Sequence, residues 1–312
     1  MLFLAVRKYT NLVEMKFGKV DNPEIIDFTI PPTHPDTAKV LDEQSSEEGL
    51  SVYVGCAKWN RADLKGFYPR GTKDELAYYS RQFNCIELNA TFYRNFPASQ
   101  FEKWYDKTPV NFKFFPKLGQ EISHWKRLVG VEDVVNSYID HFSHLRDKLG
   151  TIFLQLHANF GPKKSFKALE NFVVGWPKGL PLAVECRHTD WFTDEQVAKD
   201  FYQLLQENHM ANVLVDTAGR RDMMHMRLTN NEAFIRYVGA NHPTDYDRLE
   251  DWAIKLKEWK ELGLKKIHFF VHQNLERESP LLTAHFIEQL NLTLGTQLNI
   301  PNKGVHAQTR LL

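Results

Sequence analysis

Charged and polar side chains stand at the ends of segments that otherwise have the composition of buried strands. Glu87 and Asn89 close one such segment, and Glu185 and Arg187 close another. Successive strand side chains point to opposite faces, so the two residues of each pair share a face. A charge on a buried strand needs a partner or a water-filled cavity. The pattern therefore predicts a polar cavity at the carboxyl ends of the strands.

Three acids and three bases from five predicted strands form the strongest group of candidate residues: Glu87, Lys117, Glu185, Arg187, Asp216 and Arg236. One of the carboxylates of Glu87, Glu185 or Asp216 is expected to act as a general base or acid. Lys117, Arg187 and Arg236 are expected to bind a phosphate or carboxylate group and to stabilise negative charge. The alternative is a set of buried ion pairs that orders the core, although such pairs recover little of their desolvation cost.

Further side chains at the strand ends and in the loops after them complete the predicted substrate-binding set. The strands supply Asn89, Gln155, His157 and His272, and the loops supply Trp59, Tyr93 and His124. Trp59, Tyr93 and Trp125 are expected to form an aromatic wall for a sugar ring or a base. The alternative for these rings is that they fill gaps between helices.

A divalent metal site is a second hypothesis, because suitable ligand types lie on separate strands: Glu87, His157, Glu185, Asp216 and His272. The chain contains no HExxH or CxxC motif, and three cations in the same mouth argue against a dedicated metal cage. We therefore predict no cofactor. A metal-assisted, nuclease-like phosphoesterase remains the alternative enzyme class, and a non-catalytic ligand-binding barrel is a third possibility.

The elements that must position these residues are eight predicted strands separated by helix-length segments. The strands span residues 51–57, 85–91, 111–117, 151–157, 182–188, 211–217, 233–239 and 266–272. Parallel strands need such crossovers, and a (β/α)₈ barrel carries its site at the carboxyl ends of its strands. We predict an α/β fold with a partly irregular N-terminal extension (1–50), a single TIM-like (β/α)₈ barrel (51–292) and a C-terminal tail (293–312). The long link 118–150 is expected to overhang the barrel mouth.

Composition restricts the partners and the compartment. Lysine plus arginine and aspartate plus glutamate both number 39, so there is no global basic field for nucleic acid, although a local basic mouth stays open. The three cysteines, Cys56, Cys85 and Cys186, have no framework spacing and are expected to be reduced core residues of a cytoplasmic protein. No segment approaches the ~18 apolar residues of a membrane span. A small anionic or sugar-like substrate is the expected partner.

Several motifs resemble the YecE-like family, a domain of unknown function numbered 72. They are Val54-Gly-Cys-Ala-Lys-Trp59, Cys85-Ile-Glu-Leu-Asn-Ala-Thr-Phe-Tyr-Arg94, Phe112-Lys-Phe-Phe-Pro-Lys117 and Ala183-Val-Glu-Cys-Arg-His188. The resemblance covers roughly residues 50–292, and it implies a TIM-like barrel with a polar cavity and no established reaction. His157 stands where the family tends to have proline after the Leu-Gln-Leu of strand four. Strand eight tends to end in paired asparagines in the family, whereas here it reads Val271-His-Gln-Asn274. Both departures fall at the mouth, so the substrate can differ from that of other members.

Overall fold

Short strands alternate with helices along the described part of the chain. The computed structural model describes residues 18–43 and 49–302. The strands are β1 (Ser51–Cys56), β2 (Cys85–Leu88), β3 (Lys113–Pro116), β4 (Ile152–Gln155), β5 (Leu182–Glu185), β6 (Ala211–Asn212), β7 (Leu214–Asp216), β8 (Glu232–Gly239) and β9 (Lys266–Gln273). The α-helices are α1 (Pro35–Glu43), α2 (Glu75–Gln82), α3 (Ala90–Tyr93), α4 (Ala98–Lys107), α5 (Glu132–Ser143), α6 (Pro162–Gly175), α7 (Asp190–Thr193), α8 (Glu195–Glu207), α9 (Thr244–Glu261) and α10 (Ser279–Leu294).

The strands pair in parallel and form three sheets. One sheet has the order β1-β9-β8-β7, another has the order β4-β5-β6, and the third contains β2 and β3. Two isolated parallel bridges, Phe114 to Leu149 and Lys117 to Phe153, connect the β3 and β4 regions. The predicted mixed α/β fold with parallel strands is confirmed. The closed barrel is not confirmed, because the described strands form three hydrogen-bonded sheets rather than one continuous ring.

The breaks between the sheets have local causes. The sixth predicted strand is divided at Val213, whose amide donates to Val184 O at 3.0 Å, whereas Leu214–Asp216 pair with β8 instead. Between β1 and β2, the Asn84 side chain takes the place of ladder bonds: it donates to Val52 O and accepts from Val54 N.

Alternation along the strands sorts the core into two sets of side chains. An inner core carries Cys85, Phe115, Phe153, Phe234 and Phe270, and the helices pack on a larger outer core. All three cysteines are buried and free, as predicted. None of the helices in the described residues combines the length and apolar character that a membrane crossing requires.

Asp216 lies on the outer face, so the prediction that it joins the cavity is not supported by its position. Its carboxylate accepts from Arg248 Nη2 at 2.7 Å and from Trp252 Nε1 at 2.8 Å, and Arg221 also donates to it. Burial alone would raise the pKa of Asp216, but these arginines and the Trp252 hydrogen bond hold it below its usual range. Val213 and Val215 occupy the inner face of this strand region instead.

Part of the predicted N-terminal extension covers this outer cluster. The ring of Phe28 lies 4.1 Å from the Arg248 guanidinium carbon, and Phe28 O accepts from Arg221 Nη2 at 3.2 Å. Farther along, Thr33 donates to Glu258 on α9. The segment therefore covers the ion pairs of Asp216 and Arg248 on the outer face.

We predict that Asp216→Ala lowers the free energy of unfolding by about 3–5 kcal/mol, because it removes one carboxylate partner of the buried Arg248. Asp222→Ala is the control. Asp222 pairs with Arg220 in a more exposed position, so this change is expected to cost at most ~1 kcal/mol. Urea denaturation of both variants makes the comparison, and equal losses would contradict the structural role of Asp216.

Candidate functional site at the carboxyl ends of the strands

One arginine on the inner face joins two carboxylates from different sheets. Arg236 on β8 donates from Nε and Nη2 to the two oxygens of Glu87 on β2, at 2.9 and 2.8 Å. Its Nη1 donates to Glu185 Oε2 on β5 at 2.7 Å. We call Glu87, Arg236 and Glu185 the central bridge. Because β2, β5 and β8 belong to three different sheets, the central bridge ties all three together.

Both carboxylates of the central bridge are ionised at neutral pH. Glu87 and Glu185 have no exposed surface, and burial alone would raise each pKa. The charge of Arg236 and the hydrogen bonds from Arg236 and His272 nevertheless hold the pKa of Glu87 well below its usual range. Arg187 and Arg236 lower the pKa of Glu185 to about 2. The same carboxylates raise the pKa of Arg236, so the guanidinium keeps its charge.

A neutral amide separates the arginine from a buried lysine. Gln155 Oε1 on β4 accepts from Lys117 Nζ at 2.9 Å and from Arg236 Nη1 at 3.3 Å. The lysine nitrogen lies 4.1 Å from the centroid of the Phe92 ring. Burial, together with the charges of Arg236 and Arg187, lowers the pKa of Lys117 well below its usual range. The site thus holds a desolvated amine close to two guanidinium groups.

Half-buried polar side chains lie between the central bridge and solvent. Arg187 Nε donates to Glu185 Oε1 at 2.5 Å, and its side chain is 16% exposed. His272 Nε2 lies 3.1 Å from Glu87 Oε2, with the side chain 14% exposed. Asn89 Nδ2 donates to Glu87 Oε1 at 2.6 Å. These three residues make the mouth of the site polar and reachable from outside.

The long link between β3 and β4 brings a second histidine to this mouth. A π-helical turn, Glu121–Trp125, places the His124 ring with its centroid 5.0 Å from that of His157. Ser123 Oγ lies 2.8 Å from His124 Nδ1. Partial burial, with the neighbouring His157, Lys117 and Arg187, lowers the pKa of His124 to about 4. At neutral pH this imidazole is uncharged.

The structure does not assemble the predicted aromatic wall. Trp59 packs edge-on against Trp104 with centroids 5.7 Å apart, whereas Tyr93 and Trp125 are 69% and 68% exposed. The aromatic ring that does contact the site is Phe92, which sequence reasoning missed. It lies beside both Lys117 and His124. Phe92 lies in the short helix α3, which follows β2 and its Glu87 almost directly in the sequence. This closeness to Glu87 is the signal that could have revealed it.

The carboxylates are not arranged as a metal cage. Within residues 18–43 and 49–302, no group of three histidine, cysteine, aspartate or glutamate side chains is placed to hold a metal ion. Glu87 and Glu185 instead accept hydrogen bonds from Arg236. A cation would have to displace the guanidinium to reach both carboxylates.

The ionisation of Glu185 predicts a specific loss of stability in acid. Its folded-state pKa of about 2 lies below the ~4.3 of an unfolded chain. The contribution is therefore fully present above that unfolded value and is lost as the pH falls toward 2. Between pH 5 and pH 2, the free energy of unfolding of the wild type should fall by up to about 3 kcal/mol more than that of Glu185→Gln.

Urea denaturation across this pH range measures the difference. Glu170 pairs with the exposed Lys167 at the surface, and Glu170→Gln should retain the wild-type pH dependence. Parallel curves for the wild type and Glu185→Gln would contradict the lowered pKa.

Comparisons with known proteins place this architecture among proteins without an assigned activity. A family model described as "Protein of unknown function DUF72" matches residues 53–304. UPF0759 protein YecE of Escherichia coli K12 is 27% identical over 265 residues, which cover 78% of this chain and 94% of the relative. UPF0759 protein YunF of Bacillus subtilis strain 168 is 30% identical over 150 residues, covering 46% of this chain and 52% of the relative.

Solved structures support the same fold. A DUF72 family protein from Enterococcus faecalis V583 superposes with a TM-score of 0.62 at 20% identity, covering 80% of this chain and 98% of that chain. A DUF72 family protein from Thermotoga maritima MSB8 gives a TM-score of 0.61 at 24% identity, covering 77% and 99%. The family model spans most of the chain and agrees with the resemblance in the sequence motifs: this protein belongs to the DUF72 family.

Proposed function

We propose that this protein is an enzyme that binds a small anionic or sugar-like substrate at the mouth around the central bridge and acts on it by acid–base chemistry. The observation that carries the proposal is a buried Glu87–Arg236–Glu185 bridge bordered by half-buried polar groups. An ion cluster that only ordered the core would gain little from costly desolvation. A cluster that borders a mouth can use its charges on a ligand.

The proposal includes closure of the three sheets into a TIM-like (β/α)₈ barrel. The strand orders β1-β9-β8-β7 and β4-β5-β6 follow the chain as a barrel requires, with β6 and β7 acting as one divided strand. The bridges between the β3 and β4 regions and the Asn84 amide between β1 and β2 support closure at the two remaining junctions. In such a barrel, the site lies at the carboxyl ends of the strands, where the central bridge lies.

The charge balance at the mouth favours an anionic ligand. Lys117, Arg187 and Arg236 lie around the two carboxylates of the central bridge, so three basic side chains face two acidic ones there, and the next carboxylate, Glu276, lies 3.9 Å from His272 Nδ1. Both bridge carboxylates already bind Arg236, which therefore acts as a scaffold. Arg187 and Lys117 are the groups we assign to the ligand's phosphate or carboxylate.

His272 is the group we assign to proton transfer. Glu87 and Glu185 are weak bases because their pKa values are lowered. Glu87 instead lies 3.1 Å from His272 Nε2, as a carboxylate that orients a catalytic imidazole. With Nε2–H directed at Glu87, Nδ1 carries the lone pair that accepts a proton.

Two other functions predict different behaviour. A metal-assisted phosphoesterase requires a cation between carboxylates that Arg236 already occupies, and a non-catalytic binding barrel requires no proton-transfer group. We favour the acid–base enzyme without a metal because His272 and Lys117 border the mouth.

Three buried thiols also suit a reducing compartment, which supports a cytoplasmic location.

Anion binding is tested by thermal stabilisation. Phosphate, sulfate and sugar phosphates should raise the wild-type unfolding midpoint above that in chloride at the same ionic strength, because a ligand at ~100 times its Kd stabilises by about 2.7 kcal/mol. Lys117→Met should lose at least half of this rise. Lys167→Met removes an exposed lysine and should keep it. No rise in the wild type, or a full rise in Lys117→Met, would contradict the anion site.

Proton transfer is tested by exchange of carbon-bound hydrogens in D₂O. In a small panel of sugar phosphates, the wild-type protein should catalyse exchange of the hydrogens beside the carbonyl for deuterium in at least one compound. ¹H NMR monitors the exchange. His272→Gln should lower the rate ~10²-fold or more, because it removes the base. His144 pairs with Glu102 at the surface, so His144→Gln should keep the wild-type rate. Equal rates in the two variants would remove His272 from the mechanism.

A further inference from the structure

Lys117 has an unusually small set of polar contacts for a buried lysine. Its side-chain nitrogen donates to Gln155 Oε1 at 2.9 Å, and the Phe92 ring lies beneath it at 4.1 Å. Within residues 18–43 and 49–302, no carboxylate oxygen lies within 4.0 Å of this nitrogen. The residue is only 6% exposed. An ammonium ion in this position loses its hydration and receives one amide oxygen and one aromatic ring in exchange.

A second buried lysine shows what a purely structural role requires. Lys148 is 4% exposed, and its Nζ donates to Tyr105 O at 2.6 Å, Thr108 O at 2.7 Å and Thr108 Oγ1 at 3.2 Å. These three acceptors match the three protons of an ammonium group. Lys117 shares its single acceptor with Arg236 instead, so a second cation competes for the same oxygen. The two sites differ in how well they stabilise a protonated amine.

We propose that Lys117 is a carbonyl-capturing lysine, which forms a Schiff base with an aldehyde or ketone that carries a phosphate or carboxylate group. A desolvated lysine beside other cations is the arrangement that makes an amine nucleophilic at neutral pH. The substrate class rests on the proposed function, since Arg187 would hold the anionic group. Capture by the lysine is a separate claim.

The covalent step needs only a carbonyl compound and proton carriers. The Lys117 amine adds to the carbonyl carbon, the carbonyl oxygen takes up a proton, and the nitrogen loses one to give a carbinolamine. Protonation of the hydroxyl then releases water while the nitrogen lone pair forms the C=N bond. Solvent at the polar mouth exchanges these protons, and His124 lies nearby, because its ring contacts Phe92, the same ring that lies beneath Lys117.

Reductive trapping on the wild-type protein tests the inference without depending on a variant that folds. The protein is incubated at pH 7 with dihydroxyacetone phosphate or pyruvate and sodium cyanoborohydride, and peptides are mapped by mass spectrometry. Hydride addition to the iminium adds the mass of the probe less one oxygen atom. Lys117 should be labelled at least ~tenfold faster than the exposed Lys39 and Lys167, because each unit of pKa lowering gives tenfold more free amine. Lys148 should stay unlabelled.

The outcomes separate this inference from the proposed function. Failure to label Lys117, with anion stabilisation intact, overturns carbonyl capture and leaves the anion site standing. Failure of both overturns both. Dihydroxyacetone provides the uncharged control: faster labelling by its phosphate supports the anionic substrate class, and equal labelling supports the reactive lysine but overturns that class. Lys117→Arg should lose the label at this position and keep the slow background at the exposed lysines.

Discussion

The bridge from Glu87 through Arg236 to Glu185 is the interaction on which the site depends. Its members come from β2, β8 and β5, one from each of the three sheets. None of them can be buried alone without a large desolvation cost. The bridge also positions the neighbouring polar side chains. His272 and Asn89 contact Glu87, and Lys117 shares the Gln155 side-chain oxygen with Arg236. The central bridge therefore connects the fold and determines the chemistry at the mouth.

A second arginine–carboxylate cluster shows why position decides between structure and function. Asp216 and Arg248 are as well paired as the central bridge, but they lie on the outer face against α9 and beneath the Phe28 ring. On the inner face, half-buried Arg187 and His272 extend the cluster toward solvent. The same type of ion pair is therefore covered on the outer face, whereas on the inner face it borders the half-buried polar mouth.

Strand alternation was sufficient to predict most of the inner polar residues, because a period of two assigns Glu87, Glu185 and Arg236 to one face. It failed for Asp216, because Ala211, Val213 and Val215 hold the inner positions of that strand region, so the same period of two places Asp216 on the outer face. The contact between His124 and His157 depends on a π-helical turn in a long link. No periodicity in the sequence encodes such a turn.

A double-mutant cycle between Glu87 and Arg236 tests the central claim most directly. The free energies of unfolding of the wild type, Glu87→Gln, Arg236→Met and the double variant give the coupling between the two side chains. If the central bridge holds the inner polar layer together, the coupling should be about 1.5–3 kcal/mol, with the double variant less destabilised than the two single losses together. Additivity within ~0.5 kcal/mol would contradict the account, because the two residues would then act independently.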